Sequence, residues 1–394
     1  MIQAAGSTNP EIWRRIQARV ISTISRIGAP ARMQPSSNSE THFRILSELS
    51  LAPESPENDR RISTAVSAMK PEQFGALVSL SSKNHVVVRA LSRLSRILRA
   101  EEGPQTPAVD SVLKDEKMRI DHALKFLDEI CAGLEKSGCA VTVIKSLDHW
   151  PDLGSDLDLY SDADPARVVQ VMATEFGAKL AERSWGDRLA YKWNFIIPGL
   201  PEMIEIHIGR LGQTGEQTDF TESLMSRTRV IEIGQRSFHV LAPEDRVVIS
   251  TMQRMYRHFY IRLCDVLDNA HLLDSKQVNF DDLYVVGTST GLWEGIATYL
   301  VIISQYVESF RGYGVPLPSL VSRSAKFGMG PVRFRKDFLR VPILPHSLNL
   351  YAGELKTLIL QGQVRNSLRL SLLPGLATAA ALEMRVTGSD KGIW

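Results

Sequence analysis

The chain is organised around one stretch, Val143-Ile144-Lys145-Ser146-Leu147-Asp148-His149-Trp150-Pro151-Asp152-Leu153-Gly154-Ser155-Asp156-Leu157-Asp158-Leu159-Tyr160. An apolar run leads into a loop, and the last residues alternate between acidic and apolar, as in a strand with one polar face. In a strand, residues i and i+2 point the same way about 6.6–6.8 Å apart, so Asp156 and Asp158 stand side by side. Two like charges held together are costly unless a cation lies between them, and hard oxygen ligands favour Mg²⁺ or Mn²⁺.

The elements around this stretch are predicted to alternate between helix and strand. Apolar residues at intervals of three and four indicate a helix over residues 112–134. Asp164-Pro165 is an N-cap followed by proline at the first helical position, and it opens a helix that ends at Gly177. Strands are predicted over residues 140–144, 156–159, 189–197 and 203–208, with a hairpin formed by 230–233 and 237–241.

The strand over residues 203–208 adds a third acid. Ile204, Ile206 and Ile208 face one way, while Glu205 and His207 face the other. For His207 two interpretations stay open: a partner that orients Glu205, or a strand histidine whose hydrogen bonds are satisfied. Lys192 on the neighbouring strand is either a phosphate-binding residue or the cross-strand partner of Glu205.

Helical patterns flank this middle region. A helix is predicted over residues 10–28, and breaks are predicted at 34–39 and 103–107. We therefore expect an α+β (α/β-like) fold, a small mixed sheet between helical regions, divided into residues 1–110, 111–245 and 246–394. No chemistry is visible in the first hundred residues.

After Pro243 the pattern is helical and is predicted to stay so. One face of this helix carries charged side chains at intervals of four, four and three: Arg254, His258, Arg262 and Asp265. This is either an exposed face with an Arg262–Asp265 ion pair or, if the helix packs over the carboxylates, one wall of a cleft.

Composition limits the function classes. The chain has 394 residues and a net charge of +2, which gives no global argument for nucleic acid or membrane as a partner. Three cysteines without a C-x-x-C spacing argue against a zinc site or a disulfide framework, and no stretch is apolar enough to span a membrane, so we expect a cytoplasmic protein. Residues 321–394 carry 11 basic against four acidic residues, either a solvated face or a surface for an anionic partner.

The ordered set of motifs resembles the nucleotidyltransferase (polymerase-beta-like) superfamily. More narrowly, four segments look like an uncharacterised bacterial nucleotidyltransferase family: Ile144-Lys145-Ser146, Gly154-Ser155-Asp156-Leu157-Asp158-Leu159, Ile204-Glu205-Ile206-His207, and Arg262-Leu263 with Asp268-Asn269-Ala270-His271-Leu272-Leu273. The similarity covers roughly residues 115–275.

The resemblance implies a metal-dependent transfer of a nucleotidyl group from an NTP to an acceptor. Asp156, Asp158 and Glu205 match the catalytic acids that hold Mg²⁺ or Mn²⁺, and two such cations about 3.5–4 Å apart bind a triphosphate. The residues predicted to bind the nucleotide are Lys145, Ser146, Ser155, Lys192, His258 and Arg262. The acceptor is a small molecule, a protein or an RNA.

One departure from the family pattern concerns the phosphate loop. Where the superfamily carries glycine followed by glycine or serine, this chain reads Lys145-Ser146. Either the Ser146 hydroxyl serves the phosphate or nucleotide binding has been lost. Two alternative functions remain open. One is a catalytically inactive binding protein with the nucleotidyltransferase fold, and the other is a glycosyltransferase that uses the Asp-x-Asp motif to hold a nucleotide-sugar.

Overall fold

The computed structural model of the protein describes residues 37–376 and residue 379. The helix predicted over residues 10–28 lies outside this part, as does the end of the basic tail. The α-helices are α1 Ser37–Leu51, α2 Pro56–Ser67, α3 Pro71–Lys83, α4 Val87–Ala100, α5 Thr106–Lys136, α6 Pro165–Phe176, α7 Trp185–Leu189, α8 Thr218–Glu222, α9 Pro243–Thr251, α10 Leu263–Asp274, α11 Phe280–Ser289, α12 Trp293–Arg311, α13 Ser319–Ser324, α14 Leu348–Leu360 and α15 Val364–Ser371.

The strands form two sheets. A mixed seven-stranded sheet has the order β3-β4-β5-β2-β1-β7-β6, and a small sheet has the order β8-β10-β9. Their bounds are β1 Val141–Val143, β2 Asp156–Ser161, β3 Lys179–Leu180, β4 Lys192–Ile196, β5 Met203–Ile208, β6 Arg229–Ile233, β7 Arg236–Val240, β8 Tyr260–Ile261, β9 Arg333–Arg335 and β10 Phe338–Arg340. The predicted α+β fold with a mixed sheet and helical flanks is confirmed.

Local sequence signals set several boundaries. Asp164 accepts hydrogen bonds from the main-chain N–H groups of Ala166 and Arg167, at 2.9 and 3.1 Å, and so begins α6. Gly177 ends the same helix with a φ of 60°, a conformation that glycine adopts without a Cβ clash. Strand β5 has the predicted bounds because alternating isoleucines bury one of its faces.

Two hydrophobic cores hold the molecule together. One lies between α5, α6 and the seven-stranded sheet. The other is shared by the N-terminal helices and the helices after Pro243, so residues far apart in sequence, such as Leu46, Leu91 and Ile303, pack in the same core. The candidate site lies where the seven-stranded sheet meets the helices that form this second core. Within the described residues, no helix combines the length and the apolar character needed to cross a membrane.

The continuous helix predicted after Pro243 is wrong. Helix α9 passes into a π-helical segment, Met252–Arg257, and the chain then turns at Phe259, whose φ is +52°. Tyr260 and Ile261 pair with Arg340 and Leu339 of β10. Strand pairing with residues almost eighty positions later therefore overrides the helical period of the local sequence.

Two smaller predictions are also corrected. Residues 37–39 of the break predicted at 34–39 belong to α1, and residues 34–36 lie outside the described part. The region after Pro243 does not remain helical, because it contains β8, β9 and β10. Of these three strands, β8 contributes Tyr260 to the part of the candidate site that the sequence assigned to a single helix.

Candidate active site

One cleft of about 180 Å³ lies between the seven-stranded sheet and residues 253–262. The carboxylate wall comes from β2 and β5, and the opposite wall comes from the π-helical segment and the turn that follows it. All the site residues predicted from the sequence line this cleft: Lys145, Ser146, Ser155, Asp156, Asp158, Lys192, Glu205, His258 and Arg262.

Parallel pairing of β2 and β5 brings two of the three predicted acids together. Asp158 is directly opposite Glu205 in the register, and His207 lies two residues farther along the same face of β5. One side-chain donor atom from each of these residues lies within 4.8 Å of the other two, and we call this group the carboxylate cluster. Asp156 lines the same cleft at the start of β2 but is not part of that cluster.

His207 fits neither of the two interpretations made from the sequence. Its side chain is buried, and neither ring nitrogen has a hydrogen-bond partner among the residues that the structure describes. Burial and the nearby Lys145 and Lys192 hold the pKa of His207 well below its usual value, so the ring is neutral. A neutral imidazole with a free nitrogen beside two carboxylates is equipped to bind a cation.

Two lysines contact the carboxylates. Lys145 Nζ forms an ion pair with Asp158 Oδ1, and Lys192 Nζ lies 3.1 Å from Glu205 Oε1 and 3.0 Å from Asp187 Oδ1. Lys192 is thus the cross-strand partner of Glu205 that one interpretation predicted. Each of the two central carboxylates, Asp158 and Glu205, is therefore in contact with the ammonium group of a lysine of the same chain.

The pKa values of the acids diverge. Burial, opposed by Lys145 and reinforced by Glu205, raises the pKa of Asp158 to about 6. Burial alone would also raise the pKa of Glu205, but Lys192 and Lys145 hold it below its usual value. Burial and the charge of Glu205 raise the pKa of Asp156. Glu205 is therefore the acid that carries its negative charge most readily.

The loop that departs from the family pattern adopts a strained turn. Lys145 has φ +62° and ψ −53°, and the Ser146 N–H donates a 2.6 Å hydrogen bond to the Ile144 carbonyl, which is a γ-turn with positive φ. This conformation costs on the order of 1–3 kcal/mol for a residue with a Cβ. The turn directs the Lys145 side chain toward Asp158, where a glycine would leave open space.

The groups of Ser146 that were predicted to bind phosphate have partners within the chain. Its hydroxyl accepts a 2.7 Å hydrogen bond from the Asp158 N–H and donates to the Asp156 carbonyl at 3.3 Å. Ser146 thereby braces the start of β2. The exposed Ser155 hydroxyl donates a hydrogen bond to Asp156 Oδ2 at 3.3 Å.

The wall facing the carboxylates is cationic, but its arginines differ. Arg254 is buried, and its Nε lies 2.7 Å from Asp265 Oδ2. The predicted Arg262–Asp265 side-chain ion pair is wrong: only the main-chain N–H of Arg262 donates to Asp265, because this residue caps α10. Arg257 and Arg262 form no ion pair with any carboxylate in residues 37–376. They are the arginines of the cleft free to bind phosphate.

Two residues of this wall could not be assigned from the sequence. Arg257 was not included in the predicted polar face, but it lies in the π-helical segment, three residues after Arg254, and lines the cleft. His85, between α3 and α4, comes from a region where no chemistry was predicted. Burial and the charges of Arg262 and His149 lower the pKa of His85 to about 2, so this side chain adds a neutral ring.

A second buried group of charges lies behind the cleft. His149 Nδ1 is 2.5 Å from Asp268 Oδ2, Arg89 Nη1 donates to Asp268 Oδ1 at 2.6 Å, and Arg89 Nε lies 2.9 Å from Asp152 Oδ2. We call Arg89, His149, Asp152 and Asp268 the Asp268 network. It ties α4 and α10 to the loop between β1 and β2, and so it fixes the position of that loop.

Comparison with known proteins agrees with the motifs on which the site was built. A family model described as an uncharacterised nucleotidyltransferase matches residues 71–305. This range contains every residue of the carboxylate cluster, the cationic wall and the Asp268 network. No curated protein matches the chain.

Proposed function

Because the chain belongs to the uncharacterised nucleotidyltransferase family, we propose that it transfers a nucleoside monophosphate from an NTP to a hydroxyl or similar acceptor, using Mg²⁺ or Mn²⁺. The convergence of Asp158, Glu205 and His207 is the observation that carries this proposal. Three donor atoms within 4.8 Å of one another match the size of a cation site, whereas a structural role would give His207 a hydrogen bond.

The donor set fits a divalent cation. Carboxylate oxygens suit Mg²⁺ and Mn²⁺, and the imidazole nitrogen of His207 favours Mn²⁺ because nitrogen is a ligand of transition metals. Asp156, at the start of the same strand, is the residue that would hold a second cation. Bound divalent ions neutralise the triphosphate and lower the pKa of the attacking hydroxyl.

The other residues of the cleft bind and orient the reactants. Arg257 and Arg262 carry the positive charges that are free to hold the phosphates, and Lys145 adds one more once its carboxylate partner binds metal. Glu205, whose pKa is held low, stays ionised and so can hold the cation that lowers the pKa of the acceptor hydroxyl. Ser146 keeps the acids in place through its hydrogen bonds to β2.

Calorimetry of ATP, CTP, GTP and UTP binding, with and without Mg²⁺, tests the proposal. We expect Mg²⁺-dependent binding that Asp156→Ala removes. Asp162→Ala is the matched control, because Asp162 follows β2 on the exposed surface and does not line the cleft. Binding that does not depend on a divalent ion contradicts the proposal, and selective binding of a nucleotide-sugar indicates the glycosyltransferase alternative.

A second candidate, a nucleotide-binding protein without turnover, is favoured by one observation. Lys145 and Lys192 already neutralise Asp158 and Glu205, and Lys145 occupies the place where the polymerase-beta-like superfamily usually carries glycine. Incubation with α-labelled NTPs and Mn²⁺ separates the two candidates. Labelled product that Glu205→Ala abolishes, while NTP affinity stays within about tenfold, supports the enzyme; NTP binding without any label transfer supports the second candidate.

A further inference from the structure

The small sheet beside the cleft presents one face rich in arginine and aromatic side chains. Register places Arg335 opposite Phe338, Arg333 opposite Arg340, and Arg340 opposite Tyr260, so these five side chains share a face of the sheet. We call this face the arginine face. The other side of the sheet is apolar and packs into the core through residues such as Leu339.

The three arginines of the arginine face have no carboxylate in direct contact among residues 37–376. Arg333, Arg335 and Arg340 form no ion pair within residues 37–376, and the first two are exposed. The one acid in this segment, Asp337, is turned toward α1 and α3, where it accepts hydrogen bonds from Lys83 Nζ at 2.7 Å and Ser39 Oγ at 2.8 Å. An anionic partner would therefore meet three guanidinium groups, and the nearby carboxylate of Asp337, which also acts on Arg340 through its charge, is hydrogen-bonded to Lys83 and Ser39.

Planar groups are stacked on this face. The rings of Tyr260 and Phe338 have centroids 4.5 Å apart, and the Arg340 guanidinium lies 4.9 Å from the Tyr260 centroid. Arg262 lies 5.7 Å from the same ring. Guanidinium groups alternating with partly buried aromatic rings bind ligands that combine negative charge with flat rings, which is the chemistry of a nucleic-acid strand with unpaired bases.

The arginine face is continuous with the candidate active site. Tyr260 belongs to the face and also lines the cleft, together with its neighbour Arg262 and the acids Asp156 and Glu205. A ligand that lies along the face thus has one end at the cleft. A linear polyanion that follows the face can therefore place its terminal group in the cleft.

We propose that the arginine face binds the acceptor, and that the acceptor is a single-stranded nucleic acid whose terminal hydroxyl enters the cleft. This identification rests on the proposed function, because only a transferase requires an acceptor. The arginines contact the phosphates, and Tyr260 and Phe338 stack on unpaired bases. A duplex offers the same phosphates but keeps its bases stacked on one another.

The test measures the binding of a fluorescein-labelled 20-nucleotide single-stranded RNA to the full chain. Binding is detected by fluorescence anisotropy in the absence of NTP. We expect Arg333→Glu/Arg335→Glu to raise the Kd at least tenfold and to reduce the salt dependence of log Kd by about 0.7 per lost phosphate contact. The matched control is Lys114→Glu/Lys136→Glu, an equal charge change on exposed positions of α5, for which the Kd stays within about twofold. The milder Arg335→Gln should raise the Kd about threefold with an unchanged Tm.

Further binding measurements distinguish a single-stranded nucleic acid from other anionic ligands. A duplex of equal length should bind at least fivefold more weakly, and a DNA strand of the same sequence shows whether the ribose hydroxyls contribute. Equal effects of the two double variants, tighter binding of the duplex, or binding of phosphatidylserine vesicles in place of RNA overturns the proposal.

The same samples distinguish failure of this inference from failure of the proposed function. Mg²⁺-dependent NTP binding without binding of single strands leaves the transferase standing and overturns the acceptor assignment. Binding of single-stranded nucleic acid that depends on the arginines, but without binding of NTP, supports the arginine face as a nucleic-acid surface. The same result contradicts the proposed transferase activity.

Discussion

Two buried groups of charged side chains lie within the range of residues that matches the family model. They differ in how many of their members have a hydrogen-bond or ion-pair partner. In the Asp268 network each side chain has a partner: Arg89 binds both Asp152 and Asp268, and Asp268 binds both Arg89 and His149. In the carboxylate cluster His207 has no partner among the described residues. The first group is complete without a ligand, and the second is not.

The pKa values follow the same division. Burial would lower the pKa of His149, but Cys264 and Asp268 raise it well above its usual value, while Arg89 and His149 hold the pKa of Asp268 low. Both members of this pair are therefore charged. In the carboxylate cluster burial prevails at Asp158, whose pKa rises to about 6, because one lysine does not compensate for the burial and for Glu205. We infer that the Asp268 network serves the fold and the carboxylate cluster serves a ligand.

The largest expected effect is on transfer. Asp158→Asn should lower nucleotidyl transfer by about 10³-fold or more, since it removes a proposed metal ligand, and should change the free energy of unfolding by less than about 1 kcal/mol. Initial rates with α-labelled NTP and chemical denaturation measure the two quantities. Asp162→Asn is the control, and a variant that loses stability rather than activity would assign Asp158 to the fold.

Asp268→Asn should have the opposite profile. It leaves Arg89 and His149 buried without their shared carboxylate, so the free energy of unfolding should fall by about 3–5 kcal/mol. Asp274→Asn is the control in the same helix, because its partner Arg311 forms a more exposed pair worth about 0–1 kcal/mol. Similar losses in both variants would remove the distinction between the two charged groups.

His207→Gln tests whether the unpaired imidazole is a ligand. We expect the Kd for Mn²⁺, measured from the electron paramagnetic resonance signal of the free ion, to rise about 10–100-fold. His239→Gln, at an exposed position of β7, should leave the Kd unchanged. Unaltered Mn²⁺ affinity in His207→Gln would mean that the metal site excludes this residue.

The smallest expected effect is the response to pH. As the proposed metal ligand, Asp158 would bind Mn²⁺ as the carboxylate, so below a pH of about 6 a proton must leave first, and the apparent affinity should fall about tenfold per pH unit between pH 6 and 5. Above pH 7 the affinity should not change further through this group. Asp158→Asn should remove the slope, and a slope that survives in the variant would assign it to another group.

Local signals predicted much of the sheet and its acids. The alternation of Met203–Ile208 and the caps at Asp164 and Gly177 gave the bounds of β5 and α6, because burial of one strand face and satisfaction of helix-end N–H groups are local requirements. Asp158 and Glu205 were predicted on separate strands. Only parallel pairing placed them directly opposite each other.

The opposite wall of the cleft could not be predicted in the same way. The helical period of the charged residues from Arg254 to Asp265 is present in the sequence, but pairing of Tyr260 and Ile261 with β10 replaces helix with strand. The contribution of His85 likewise depends on the packing of the N-terminal helices against residues after Pro243. Such contacts join positions that no short-range pattern relates.

The sequence by itself determined the fold class, the acids on the polar faces of β2 and β5, and the departure from glycine at Lys145, because each follows from residue type and short-range spacing. Only the tertiary structure decided which of these groups are paired. Lys145 forms an ion pair with Asp158, and His207 has no hydrogen-bond partner among the described residues. The side chain that binds Asp265 is that of Arg254, not that of Arg262. Ion pairing and desolvation depend on distances between elements, which pairing of strands and packing of helices set.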